Sequence, residues 1–194
     1  MKWDEHTKLT TKRIRTTAYK FKQLRNILPL NLLRQVYYSL VQSISQYAII
    51  VWGGTYKIHT EPVERAIKMI LKVSMNRPWR YPSELLFTEF NVPTLMHTYA
   101  KELLLYAYSN TYINTHPEHQ HRTRIGEQQN IYPPRIHKTL YKHSPHYLST
   151  KLYNATPTHT RQAPNINKYK NNVKNWLNTL TAQQITNLLH DTLT

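Results

Sequence analysis

The stretch that most constrains this chain is LNLLRQVYYSLVQSISQYAIIVWGG, from Leu30 to Gly54. Leu33, Val36, Tyr37, Leu40, Val41, Ile44, Tyr47, Ala48 and Val51 recur at spacings of three and four, which stacks them in one wide stripe of an α-helix. A stripe of such bulk must be buried against other elements. Pro29 and Asn31 mark the start, with Asn31 placed to cap, and Trp52-Gly53-Gly54 marks the end, where glycine is free to take a left-handed cap. One long core helix is the expectation.

Two further helices flank it. The first runs from about Asp4 to Leu28, with Ile14, Ala18, Phe21 and Leu28 on one face and Leu24 beside them. Lys8, Lys12, Arg15, Tyr19 and Lys22 follow the same spacing on nearly the opposite face. The next helix starts near Thr60–Pro62, carries Val63, Ala66, Ile67, Ile70, Leu71 and Val73, and ends near Asn76, before Pro78. Three helices with short links predict a bundle. Arg77-Pro78-Trp79-Arg80-Tyr81-Pro82 is a basic, aromatic connector, able either to grip phosphate and stack on a base or to pack as a loop plug. Two shorter helices extend the bundle: SELLFTEF, capped by Ser83 with Leu85, Leu86 and Phe90 inward, and a second from Thr94 to about Ser109. The latter carries Leu95, Met96, Tyr99, Leu103 and Tyr106.

Beyond Asn110 the composition turns to Pro, His, Thr, Asn and Gln. The reading is therefore all-α in three parts: a helical domain over 1–109, a loop-rich or disordered segment over 110–165, and a C-terminal helical tail over 166–194. In the tail, Tyr169, Val173, Trp176, Leu177 and Leu180 form a short apolar face, and Thr181 is placed to cap a closing helix through Leu189.

Charge narrows the function. Lys plus Arg number 26 against 10 Asp plus Glu, a net of +16. Residues 1–25 hold eight basic and two acidic side chains, and residues 135–174 hold eight basic and none acidic. Two basic regions flanking a nearly balanced middle suggest a polyanionic partner, most often nucleic acid. The Lys8–Lys22 strip, with Trp3 and Tyr19 to touch sugar or base, is the candidate contact, together with Arg77 and Arg80; an ordinary solvated face is the alternative. No apolar stretch approaches the length of a bilayer-spanning helix and the first residues carry no apolar run, so no membrane partner is expected. An intracellular setting, nucleus or cytoplasm, is the expectation.

Catalysis is not expected of the chain. The absence of cysteine excludes disulfides, zinc–thiolate sites and thiol nucleophiles. The two aspartates, Asp4 and Asp191, lie at opposite ends, and two-metal phosphoryl chemistry needs clustered carboxylates. His116, His119 and His121, with His159, are the only histidine grouping worth weighing for Zn²⁺, and no cysteine or aspartate stands near to complete a site. There is no phosphate-binding glycine loop, nucleophile elbow or dinucleotide fingerprint. No catalytic residue, metal or cofactor is assigned.

Several segments, in order, resemble the C-terminal part of reverse transcriptases from non-LTR (LINE-type, jockey-like) retrotransposons. Lys2-Trp3-Asp4-Glu5-His6 is similar to the tryptophan-then-histidine step where that family's palm gives way to its thumb. A basic helix then leads to Leu28-Pro29. Tyr47 and Val51-Trp52-Gly53-Gly54 fit the end of the family's next helix, with Ala48 where a glycine is usual. EPVERAIKMILKV, Pro82-Ser83-Glu84-Leu85, Asn91-Val92-Pro93-Thr94-Leu95 and the tail KLYNATPTHTRQAPNINKYKNNVKNWL continue the likeness. The resemblance implies a helical thumb that grips a template–primer duplex. It also implies that the catalytic aspartate pair belongs to a palm preceding Met1, so RNA-directed DNA polymerase activity is not carried over to these residues. A freestanding basic nucleic-acid-binding protein and an inactive truncated remnant are the rival readings.

Overall fold

The computed structural model describes residues 3–110, 131, 134, 135 and 138–189. Among them every regular element is helical and no strand occurs, an all-α fold. The chain gathers into two compact units, Met1–Leu95 and Met96–Thr194.

In the first unit, α1 (Asp4–Thr16) and α2 (Ala18–Leu24) replace the single first helix. The break is slight. Thr17 keeps helical backbone angles, its amide bonds Ile14 O at 3.0 Å, and its hydroxyl donates to the same carbonyl at 2.7 Å. The buried face is Ile14 and Phe21 with Thr7, Thr10, Thr11 and Thr17, while Ala18, Leu24 and Leu28 are only half-buried. Hydropathy passes over these threonines. Thr11 donates to Thr7 O at 2.7 Å, which satisfies its hydroxyl within the helix and leaves a methyl group to pack.

The long central helix is interrupted twice. It comprises α3 (Leu30–Tyr37), a π-helical segment (Tyr38–Gln42), α4 (Ser43–Gln46) and α5 (Ile49–Trp52). The buried positions Leu33, Tyr37, Val41, Ser45 and Ile49 step by four. Steps of four overshoot a full α-helical turn by about 40° each. A wider i→i+5 turn takes up the surplus residue and limits the drift. The second interruption is a turn at Tyr47-Ala48, with Ala48 left-handed at φ 52°. It turns Tyr47, Ala48 and Val51 out to solvent, against the expectation that they join the stripe. The helix begins at Leu30 rather than being capped by Asn31, and Gly53 has φ −65°, so no glycine cap ends it.

Helix α6 (Lys57–Ser74) starts a turn earlier than expected and holds Pro62 in its second turn. Val63, Ala66, Ile67, Ile70 and Leu71 are buried as the spacing predicts; Ser74 is buried and Val73 half-buried. It packs along α1 and α2, α1 also meets α4, and the three segments form the bundle. Helix α7 (Ser83–Phe90) buries Leu86, Phe87 and Phe90, while Leu85 is turned outward. Both α6 and α7 end on a left-handed asparagine. After α6, Asn76 bonds Val73 O and Arg77 bonds Lys72 O; after α7, Asn91 bonds Thr88 O and Val92 bonds Phe87 O. This Schellman geometry fixes both chain reversals. Arg34 Nε donates to Phe90 O at 2.7 Å and ties α3 to the end of α7.

In the second unit, α8 (Leu95–Asn110) buries Tyr99, Ala100, Leu103, Leu104 and Ala107; Met96 is half-buried and Tyr106 lies outward. Residues 111–130 of the segment read as loop-rich lie outside the described residues. From 138 onward that segment is largely helical: a 3₁₀ turn (Thr139–His143), α9 (Pro145–Ala155) and α10 (Thr158–Arg161). Composition concealed α9 because its inner face mixes Leu148, Leu152 and Tyr153 with buried Ser149, Thr150 and Thr156. Its start is signalled locally, by Ser144 accepting from the Tyr147 amide ahead of Pro145. Helix α11 (Ile166–Asn178) is capped by Asn165, and α12 (Ala182–Leu189) by Thr181 with a reciprocal bond from Gln184.

Candidate nucleic-acid interface

The basic strip is real as a surface. Lys8, Lys12, Arg15, Tyr19 and Lys22 are all exposed, and Tyr19 is 69% open. Lys8, Lys12 and Arg15 line one open groove with Thr11, Thr16 and Pro62, so the groove lies along the seam between α1 and α6. The buried face of α1 packs on α6, and its exposed flank beside that seam supplies the cations.

The cations are not equivalent. Lys8 Nζ lies 2.6 Å from Asp4 Oδ2, one turn earlier, and that hydrogen bond and charge raise the lysine's pKa above its ordinary value. Lys12, Arg15 and Lys22 meet no acid among the described residues. Both acids on α6 are also engaged, Glu61 by Arg65 and Glu64 by Lys68, each at 2.7 Å. The groove therefore carries two unneutralised cations flanked by one that is shared.

Trp3 does not join the strip. It meets His6 edge-on at 6.1 Å, and His6 lies 6.3 Å from Tyr47 and 5.9 Å from Trp52. This aromatic cluster holds the start of α1 against the turn that ends the central segment. The connector divides likewise. Arg77 pairs with Glu89 at 3.0 Å and lies 4.9 Å from the Tyr81 ring, while the Tyr81 hydroxyl donates to the other oxygen of Glu89. The Tyr81 bond, and then Arg77, hold the Glu89 carboxyl below its usual range. Arg77 is thus a latch between α6 and α7. Arg80 is exposed and meets no acid among the described residues.

No family model matches this chain. Nor does any curated protein or solved structure. The site stands on its own geometry.

Among the described residues no three of His, Cys, Asp and Glu converge to hold a metal ion, and no described helix is long and apolar enough to cross a membrane. His116, His119 and His121 lie outside the described residues; His159 is exposed on α10. The sequence reading missed two contributors to this surface. Pro62 walls the groove, which only the packing of α6 on α1 reveals. Asp4 reaches into the strip, a contact that the four-residue spacing to Lys8 does signal.

Proposed function

We propose that the first unit is a nucleic-acid-gripping helical module, of the kind that a non-LTR reverse transcriptase uses as its thumb to hold a template–primer duplex. The observation that carries this reading is the pair Lys12 and Arg15, unpaired with acids among the described residues, side by side in an open groove on a chain of net charge +16. Lys8 and Lys22 extend the same face, which spans about 21 Å from Lys8 to Lys22 at the helical rise. Such a face suits regularly spaced phosphates. Contacts of this type position a strand without reading its bases, so binding is sequence-independent and salt-sensitive. The proposal concerns binding alone, since this chain carries no adjacent aspartate pair for polymerase chemistry.

The test is the salt dependence of duplex DNA binding. Changing Lys12 and Arg15 together to alanine is expected to weaken binding and flatten the slope of log K against log salt by about 0.9 per lost contact. An unchanged slope rejects the assignment.

A further inference from the structure

The connector between α6 and α7 is held rigid, yet it presents its largest side chain to solvent. Arg77 is fixed at both levels, its amide on Lys72 O at 2.9 Å and its guanidinium on Glu89. The Tyr81 amide bonds Pro78 O at 3.0 Å, and Lys72 Nζ donates to the Trp79 carbonyl. Within this frame the Trp79 indole is 79% exposed, and the Lys72 ammonium lies 5.3 Å from its ring centroid. Arg80 stands next to it, also exposed. A flat ring on a fixed loop, beside two cations, needs little further ordering to receive another flat ring joined to a phosphate.

Its place in the bundle adds the second argument. The groove sets Thr11, Arg15 and Thr16 beside Pro62, and Arg25 Nη1 donates to Val73 O at 3.0 Å. Helices α1–α2 and α6 therefore run in the same direction. The strip that begins at Lys8 leads through Lys22 toward Arg25, at the end of α6 where Lys72 and the Trp79 loop are anchored.

We propose that Trp79 is a stacking platform for an unpaired base of a nucleic acid whose backbone lies along the Lys8–Lys22 strip, with Lys72 and Arg80 meeting the adjoining phosphate. The substrate class is then a duplex with a single-stranded extension rather than a blunt duplex. This rests on the binding function proposed above and adds to it a preference at one end. Because every base offers a π-face, the preference is for unpaired bases as such and not for a sequence.

The experiment uses the full chain and three labelled DNA ligands, a blunt duplex, the same duplex with a short overhang, and that overhang made abasic. Wild type is expected to favour the intact overhang by about tenfold, the size of one aromatic–base stack. The abasic overhang and the Trp79→Ala variant should each lose that preference, Trp79→Phe should keep most of it, and Trp79→Ala should leave the salt slope unchanged. Lys12→Ala/Arg15→Ala should instead weaken all three ligands and flatten the slope. An overhang preference that survives Trp79→Ala, or none in wild type, overturns the platform while the flattened slope still upholds the strip. Absence of salt-dependent binding to any ligand rejects the strip, and the platform with it.

Discussion

The Trp52 indole N–H donates to the Tyr47 carbonyl at 2.9 Å, across the turn that breaks the central helix. Tyr47 leaves the helix with ψ 120° and Ala48 follows in the left-handed region, which frees the Tyr47 carbonyl from its helical donor. Trp52, fully buried, supplies that donor from within the core. Loss of the indole nitrogen in Trp52→Phe leaves the carbonyl unmet and the ring site underfilled. A destabilisation of about 2–3 kcal/mol is expected, read as a shift in the urea midpoint.

Ala48 bears the cost of that turn. A left-handed alanine is disfavoured by about 1–2 kcal/mol, and glycine escapes it at the cost of greater chain entropy. Ala48→Gly should therefore stabilise the chain by about 0.5–1 kcal/mol. The same urea titration checks it, and a lower midpoint would contradict the observed φ.

Asp4 and Lys12 should have opposite effects on binding. Asp4→Asn releases Lys8 from its ion pair and should raise duplex affinity by about twofold, the scale of an exposed pair, with a steeper salt slope. It also removes a negative charge from the first turn of α1, so a thermal stability loss of about 0.3–1 kcal/mol should accompany the gain. Lys12→Ala should lower affinity with little change in stability. Anisotropy and thermal melting on the same samples separate the two effects.

The Arg77–Glu89–Tyr81 latch gives the fold an acid-side dependence. The Glu89 carboxyl is held below its usual pKa, first by the Tyr81 hydroxyl and then by Arg77, so the folded state binds its proton less readily than the unfolded chain. The contribution is full above the ordinary glutamate range and is lost as pH falls through the lower folded value. Melting temperature should thus fall less steeply with acidification in Glu89→Gln than in wild type. Parallel curves would show that the latch is not formed in solution.

Two buried tyrosines of the second unit should respond oppositely to loss of the hydroxyl. Tyr169 donates to Leu104 O at 3.2 Å and stacks on Tyr108 at 4.2 Å, so Tyr169→Phe should cost about 1 kcal/mol. The Tyr99 hydroxyl is buried with no hydrogen-bond partner among the described residues, so Tyr99→Phe should be neutral or stabilising by up to about 1 kcal/mol. Equilibrium unfolding of the two variants decides it.

Periodicity alone determined that this chain is helical, where α6, α7 and α8 lie, and that Lys8, Lys12, Arg15 and Lys22 share an outer face. Each follows from side-chain spacing on a single helix. Thr181 was legible as a start for the same local reason, because a cap bonds only its own first turn. Tertiary structure decided the rest. The buried Thr7 and Thr11 of α1 and the serine and threonines in and beside α9 count as core only once their hydroxyls are turned back onto their own helices. The central helix breaks at Tyr47-Ala48, and the Tyr47 carbonyl freed there finds its donor in the buried Trp52 indole. The roles of the connector's arginines were likewise undecided in sequence. Arg77 is drawn into the fold by Glu89, twelve residues away on another helix, and Arg80 is not. Which cation stays free for a ligand depends on which acids the packing brings near, and spacing along one helix carries no information about that.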